Sequence, residues 1–273
     1  LAEALEVTRI YSVAGLLPPG GAMVTERPFR APHSSISAVG LIGGGAPLPR
    51  PGEVSLSHNG VLYLDELPLY ARNALEALRG PLEDGSVTVV RSMITATYPA
   101  AFCMVTSMNP CPCGFLGDRR HQCSCSISEI QRYRSRVSGP LLDRIDIQME
   151  VPRLTREELQ DMPRGEPSAS VRERVVAARL IQLERFSGMK VHCNAEMPHS
   201  LVERYCVLSG EGRKFLGRAV DRLGLSARSY HRVLRVARTC ADLAGEGDIS
   251  VEHLAEAVQY RCMERSVFMG AAV

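Results

Sequence analysis

Lysine is nearly absent: the 273 residues hold only Lys190 and Lys214, and arginine carries the rest of the positive charge. Met189 precedes one and Arg213 the other, so the sequence contains no G-x-x-x-x-G-K-[ST] phosphate loop. The triple glycine Gly43 to Gly45 is followed by neither a lysine nor a predicted helix, which excludes it as a substitute. No apolar run reaches the length of a membrane span, and no basic-then-apolar leader precedes a small-residue cleavage site. The expectation is a cytoplasmic chain with no membrane partner. A formal net charge of +2 gives no global signal for a polyanion. Internal repeats and low-complexity tracts are also missing. Nine cysteines in such a chain do not make a disulfide framework. Five of them, Cys103, Cys193, Cys206, Cys240 and Cys262, are scattered and expected to be reduced thiols.

What is present is a globular composition, with 45% apolar and 23% charged residues, in a chain long enough for one large domain or two ordinary ones. The first 152 residues mix short apolar runs with Gly/Pro punctuation. "LAEALEVTRIYSVAG" predicts an amphipathic helix with Leu1, Leu5, Thr8 and Tyr11 on one side, ended near Gly15 and Pro18. The chain opens in the middle of this pattern and without Met, so residues upstream are expected to be missing. "SAVGLIGGGAPLPRPGE" is loop-like, "GVLYLDEL" holds a buried strand, and "ARNALEALRGPLEDG" is a helix turning at Asp84-Gly85. "SVTVVRSMITATYP" alternates as a hairpin, and "AAFCMVTSMNP" predicts a second buried strand. "SISEIQRYRSRVSG" is a helix capped by Ser126 or Ser128, and "RIDIQMEVP" a last strand. Helices alternating with continuous apolar strands indicate an α/β fold with a parallel sheet. Residues 153–169 form a polar, Pro-broken linker, and residues 170–266 an all-α domain of five helical segments.

Charge is uneven along that second domain. Arg204 to Arg238 carries nine Lys/Arg against two acids, Glu211 and Asp221, which suits either a nucleic-acid face or a solvated helix surface.

The run Val61 to Leu64 ends in two adjacent carboxylates, Asp65 and Glu66. Like charges at the end of an interior strand suit a nucleotide hydrolase: the aspartate holds Mg²⁺ on ATP and the glutamate polarises the attacking water. The bland alternative is a strand that ends among solvated acids. Asn109 closes the next apolar strand, where an amide can orient that water. Arg144, before the last predicted strand, can reach a neighbouring subunit's phosphate, and Arg228 stands near the start of a helix in the second domain.

These residues, in this order, resemble the magnesium-chelatase-like AAA+ ATPases, and within them the bacterial branch of competence proteins of the ComM type. The resemblance covers essentially the whole chain. It rests on "RPFRAPHSSIS", "GGGAPLPRPGEVSLSHNGVLYLDELP", "LEALRGPLEDGSVTVVR", "TSMNPCPCGFLGD", "YRSRVSGPLLDRIDI" and "LSARSYHRVLRVARTCADL". It implies a partial AAA+ core followed by an all-α lid, with Asp65 and Glu66 as the Walker B pair and Asn109 as sensor 1. Arg144 becomes the arginine finger and Arg228 the sensor-2 arginine. The resemblance also implies an insertion in the second helix over residues 27–45 and a hairpin before sensor 1 over 86–99, of the kind that points towards a ring's central pore. The chain departs from the family at Ser34, where a second histidine is usual, and at Leu69-Tyr70, where an acid and an aromatic are usual. In the family the phosphate loop lies just upstream of the helix that opens this chain. The expectation is therefore ATP and Mg²⁺ as cofactors of the longer protein, and no turnover by the 273 residues alone.

"CPCGFLGDRRHQCSC" brings Cys111, Cys113, Cys123 and Cys125 together, either as a structural zinc site or as a reduced, thiol-rich loop. Three functions are weighed. The first is a homo-oligomeric ring, a hexamer, that drives DNA remodelling, with Arg27, Arg30, His33 and Arg91 as nucleic-acid contacts. The second is the ATPase motor of a magnesium-chelatase-type metal-insertion complex. The third is a non-catalytic remnant that binds a partner ring, which the intact set of five site residues argues against.

Overall fold

The computed structural model describes residues 1–261 apart from 18, 19, 22, 46, 47, 92, 93, 119, 155–159 and 161–164. It divides into two compact units, Leu1–Ile145 and Asp146–Val273. The first is α/β and the second is helical, in keeping with a partial AAA+-type fold followed by a helical C-terminal domain.

The first unit opens with helix α1, Ala2–Ala14, which ends in a left-handed Gly15 whose N–H bonds back to the last turn. Its buried line is Val7 and Ile10, while Leu1 and Leu5 are exposed. The predicted face is therefore rotated. Tyr11 donates to the Leu56 carbonyl at 3.2 Å, and Thr8 accepts the Val24 N–H at 3.0 Å, and these contacts fix which side turns inward.

Strand β1, Phe29–Arg30, is followed by a segment expected to be loop-like. Here the structure corrects the sequence: helix α2, Ala38–Ile42, and helix α3, Glu53–Leu56, flank a two-stranded ribbon of β2, Gly43–Gly44, and β3, Arg50–Pro51. Ser37 caps α2 by accepting the Gly40 N–H at 3.0 Å. Side chains are excluded where the ribbon meets α3, since a Cβ on Gly52 would lie 2.4 Å from the Gly43 nitrogen.

Strand β4, Val61–Leu64, is central. It is followed by a 3-10 turn at Leu67–Leu69 and by helices α4, Arg72–Ala77, and α5, Arg79–Asp84. One continuous helix was expected over α4 and α5; the chain instead breaks at Leu78, and Gly85 ends α5 in the left-handed region. The hairpin is as expected: β5, Ser86–Arg91, pairs antiparallel with β6, Ile94–Pro99. Strand β7, Cys103–Thr106, then pairs in parallel with β4, giving the sheet order β1-β4-β7. Leu62 and Leu64 are fully buried beneath it, with Leu41, Leu67 and Leu75. The expectation of a buried strand fails for β7, where Cys103 and Val105 are exposed. Among the described residues β7 has β4 on one side only, so it is an edge.

Helix α6, Ile127–Arg134, starts at Ser126 in a reciprocal capping box with Glu129. Helix α7, Gly139–Leu142, leads to Arg144 and the end of the unit.

The last predicted strand does not form. Arg144 and Ile145 extend the α7 turn through their N–H groups, Asp146 pairs with Arg232 at 2.5 Å, and the Gln148 N–H goes to the Tyr260 carbonyl at 3.0 Å. These groups are spent on single partners rather than a ladder. Ile147, Met149 and Val151 stay exposed.

The second unit has the five expected helices: α8, Ser168–Arg185; α9, His199–Tyr205; α10, Gly210–Leu223; α11, Ala227–Ala244; and α12, Val251–Gln259. Phe186, Met197, Leu216, Val233 and Leu254 close its core. A buried polar seam runs through it. The Asp242 side chain, with no exposed surface, takes Arg185 at 2.5 Å, Arg238 at 3.1 Å and the Asn194 amide at 2.7 Å. Gln182 on α8 faces the same seam by accepting the Asn194 N–H at 3.2 Å, which leaves Val176, Leu180 and Leu183 outward.

Two stability effects are expected. A Cβ on Gly60 would lie 2.0 Å from the Pro28 carbonyl oxygen, so Gly60→Ala must part β1 from β4. Its cost should be about 1–3 kcal/mol in chemical denaturation of the first unit; a neutral substitution would contradict this packing. Asp242→Ala leaves the buried Arg238 and the partly buried Arg185 without their anion and should cost about 3–5 kcal/mol in the helical unit. A loss below about 1 kcal/mol would mean that water, not Asp242, solvates them.

Candidate functional site

The sheet order places the carboxyl ends of β4 and β7 side by side, with Leu64 opposite Thr106. Three of the predicted residues, Asp65, Glu66 and Asn109, stand just beyond those ends, where open parallel sheets bind ligands. The two loops are joined through Ser107. Its N–H donates to the Leu64 carbonyl at 3.2 Å and its own carbonyl accepts the Leu67 N–H at 2.9 Å. Its hydroxyl donates to Asp65 Oδ1 and accepts the Glu66 N–H at 3.2 Å. Tyr63 donates to the same carboxylate oxygen at 3.1 Å.

These bonds favour the charged form, so the Ser107 hydroxyl first, then Tyr63, holds the Asp65 carboxyl below its ordinary range. Asp65 is exposed and ionised, a hard oxygen donor suited to Mg²⁺. Glu66 adopts φ 51° and ψ 55°, a left-handed conformation that costs a non-glycine residue of order 1–3 kcal/mol. The Glu66 N–H bond to the Ser107 hydroxyl and the Leu67 N–H bond to the Ser107 carbonyl hold it there.

Tyr133 on α6 adjoins this edge. Burial chiefly raises its pKa, the Asn109 backbone N–H opposes the rise, and the Glu66 charge adds to it. The sequence reading singles out neither Ser107 nor Tyr133. Ser107 had one signal, a hydroxyl directly after an apolar strand.

The other predicted residues stand elsewhere. The Arg144 side chain is 7% exposed; it is paired with Glu83 at the end of α5 and donates to the Pro140 carbonyl at 2.7 Å. Arg228 is exposed in the first turn of α11, in the second unit. Arg27 holds Glu3 at 2.5 Å and the Asn59 carbonyl at 2.5 Å, and Arg30 grips Glu53 through two nitrogens at 2.6 and 2.8 Å. His33 Nδ1 meets the Ser35 hydroxyl at 2.8 Å. Arg91 lies opposite Ile94 at the hairpin tip, and its side chain lies outside the described residues. Of the nine basic residues in 204–238, Arg232, Arg235 and Arg238 bond within the unit, to Asp146, the Met197 carbonyl and Asp242. Arg213, Lys214, Arg218 and Arg222 are exposed on α10.

The four clustered thiols converge. Their sulfurs all lie within 4.8 Å of one another, Cys111 is buried, and the Cys111–Cys113, Cys111–Cys123 and Cys113–Cys123 separations are 3.4, 3.6 and 3.6 Å. The Phe115 and Ser124 N–H groups bring the Cys113 thiol down to about 5. Loss of water and the neighbouring sulfurs push Cys125 up to about 12. Four sulfurs converging at this spacing form a donor set that suits a metal preferring thiolate.

The parallel sheet, with the acid pair at the end of β4 and Asn109 beyond the end of β7, and the helical second unit are in keeping with a partial AAA+-type fold. Residues 1–159 match the family described as magnesium chelatase, subunit ChlI, and residues 165–261 match its C-terminal part. The chain belongs to this magnesium chelatase family. It is 47% identical over 88% of its length to the competence protein ComM of Haemophilus influenzae, of which it covers 46%. It is 42% identical over 95% of its length to an uncharacterized protein of Mycobacterium tuberculosis, covering 51% of that protein, and 42% identical over 88% to the uncharacterized protein YifB of Escherichia coli, covering 46%. The chain thus spans about half the length of the curated relatives it matches. No helix among the described residues is long and apolar enough to cross a membrane.

The Ser107 contacts make a direct prediction. Ser107→Ala removes the largest cause of the Asp65 shift, so the Asp65 pKa should rise towards the usual carboxylate range in a carboxyl-carbon NMR titration. An unchanged titration would remove Ser107 from the site.

Proposed function

We propose that this chain is the Walker B, sensor and lid portion of a ring-forming AAA+ ATPase that couples ATP hydrolysis to DNA remodelling, of the branch-migration or helicase kind used in recombination and transformation. One observation carries the hydrolytic half of the reading: the Asp65–Glu66 pair stands at the carboxyl end of β4 beside Asn109 at that of β7. Asp65, ionised and aimed by Ser107 and Tyr63, would hold Mg²⁺ on the nucleotide. Glu66 would take a proton from the attacking water, and Asn109 would orient that water. Bound ATP supplies the phosphoric anhydride whose cleavage drives the motor. This chain's own residues serve the metal and water side of that reaction, since the sequence has no phosphate loop.

The DNA half rests on the similarity to a competence protein and on the exposed cations Arg213, Lys214, Arg218 and Arg222 along α10. Self-association into a hexameric ring belongs to the same reading. In it Arg144 acts on a neighbouring copy's phosphate, and Arg228 senses nucleotide from the lid. Arg144 must first leave Glu83 to do so. Arg27 and Arg30 would have to exchange a carboxylate for a phosphate, so they are weaker DNA contacts than the α10 face. A structural zinc completes the cofactors, held by Cys111, Cys113, Cys123 and Cys125.

A motor for metal insertion is the second reading, favoured by the description of the matching family. The product of the whole open reading frame separates the two. Its ATP hydrolysis, measured alone, with single-stranded DNA and with a branched duplex, should rise with DNA. In Glu66→Gln it should fall by about 10²–10⁴-fold. Glu66-dependent turnover indifferent to every DNA would overturn the DNA reading in favour of the second. The 273 residues alone should show no turnover, and hydrolysis by the pure chain would contradict that.

A further inference from the structure

The thiol cluster adjoins the hydrolytic edge in sequence and in space. Chain leaving β7 passes Asn109 and Pro110 and reaches Cys111, which is fully buried. It returns at Cys125, and the next residue, Ser126, is the cap of α6. Over residues 111–125 the described chain forms neither helix nor strand, with Gly114 at φ 81° and Gly117 at φ 84°. Two contacts close this loop from the helix side. Arg134 on α6 directs Nε and Nη2 to the Pro110 carbonyl at 3.2 and 3.1 Å, and Tyr133 lies against the Asn109 backbone N–H. Asn109 is therefore held by the loop's two ends, and the ends meet at sulfur.

The sulfurs have metal-shell spacing. Four thiolates around zinc at about 2.3 Å place neighbouring sulfurs about 3.8 Å apart. The separations of 3.4, 3.6 and 3.6 Å are close to that and far from the bonded distance of a disulfide, about 2.05 Å. Without a cation nothing draws four sulfurs into this volume, since S–H groups are weak donors. With one, each end of the loop gains two strong bonds: Cys111 and Cys113 from the strand side, Cys123 and Cys125 from the helix side.

We propose that the zinc clasp is a positioning device for catalysis: by joining the end of β7 to the start of α6 it fixes Asn109 against Tyr133 and so sets the water-facing edge of the acid pair. This rests on reading Asp65, Glu66 and Asn109 as a hydrolytic site. The four cysteines are positioning residues, acting through Asn109 rather than on the nucleotide, and α6 is the lever that transmits the clasp to Asn109.

Zinc content, backbone exchange and turnover test this in the whole reading-frame product. Purified without chelators, it should hold one zinc for every chain. Cobalt substitution should give the visible bands of a tetrahedral tetrathiolate site, lost in Cys113→Ser/Cys125→Ser. Zinc removal by a chelator should speed amide exchange across residues 107–109 about tenfold, leave 227–244 unchanged, and be reversed by added zinc. The same removal should lower kcat for ATP about 10–100-fold with KM little changed. Absence of zinc and of the cobalt bands overturns the site. Bound zinc whose removal alters neither exchange at 107–109 nor kcat overturns the positioning role and leaves a loop staple. Full turnover in Glu66→Gln would instead defeat the hydrolytic reading, whatever the zinc result. Chelation and restoration use the unaltered chain, so a variant that fails to fold cannot decide the matter.

Discussion

Ser107 is the residue on which the candidate site depends. Two backbone bonds and two hydroxyl bonds from this one position join the loop after β7 to the loop after β4. The parallel register of the two strands brings the loops level, and Ser107 converts that register into a fixed geometry for Asp65 and Glu66. It also explains how Glu66 can remain left-handed: its N–H and that of Leu67 are both bonded to Ser107. Strain is retained where surrounding bonds over-determine it, and such places are often functional. The route from sequence to chemistry therefore runs through an edge strand of four residues and one hydroxyl.

Arginine dominates the cations, and most of those with a described role act inside the chain. Arg30 ties β1 to α3 through Glu53, Arg144 ties the end of the first unit to α5, and Arg185 and Arg238 converge on Asp242. The forked guanidinium suits such two-point contacts better than lysine does. Both lysines fall in the helical unit, and Lys214 stands on the exposed α10 face with Arg213, Arg218 and Arg222. The charge open to a partner is thus narrower than the residue count suggests. Beside the acid pair's strand, Arg72, Arg132 and Arg136 line an open cavity of about 360 Å³ with Tyr70, a second place where positive charge faces outward.

Elements with a strong local pattern were legible from the sequence. The five helices of the second unit were all visible in the sequence, although α8 turns Gln182 rather than Val176, Leu180 or Leu183 inward, and Ser126 caps α6 as expected. The hairpin β5–β6 follows its alternation. What failed depended on distant partners. "RIDIQMEVP" has a strand's alternation, yet a strand exists only beside another strand, and its backbone groups find Tyr260 and the α7 turn instead. On α1 the expected side holds at Thr8 and Tyr11, anchored by Val24 and Leu56, and fails at Leu1 and Leu5, whose places inside go to Val7 and Ile10. The Gly/Pro-rich stretch hid two short helices, although Ser37 was a visible cap for the first. In the site, Asp65, Glu66 and Asn109 were legible as residue types at strand ends. That Arg144 is paired with Glu83, across much of the first unit's sequence, was not.

The central claim is that the nucleotide's metal sits between the ends of β4 and β7. Iron(II) in place of Mg²⁺, with ATP and a peroxide, cuts backbone within reach of the bound metal and so maps it directly. In the whole reading-frame product the account predicts ATP-dependent cleavage at residues 65–67 and 107–109, suppressed by excess Mg²⁺ and absent from Asp65→Ala. Cleavage confined to other segments, or equally strong at these positions in Asp65→Ala, would contradict it.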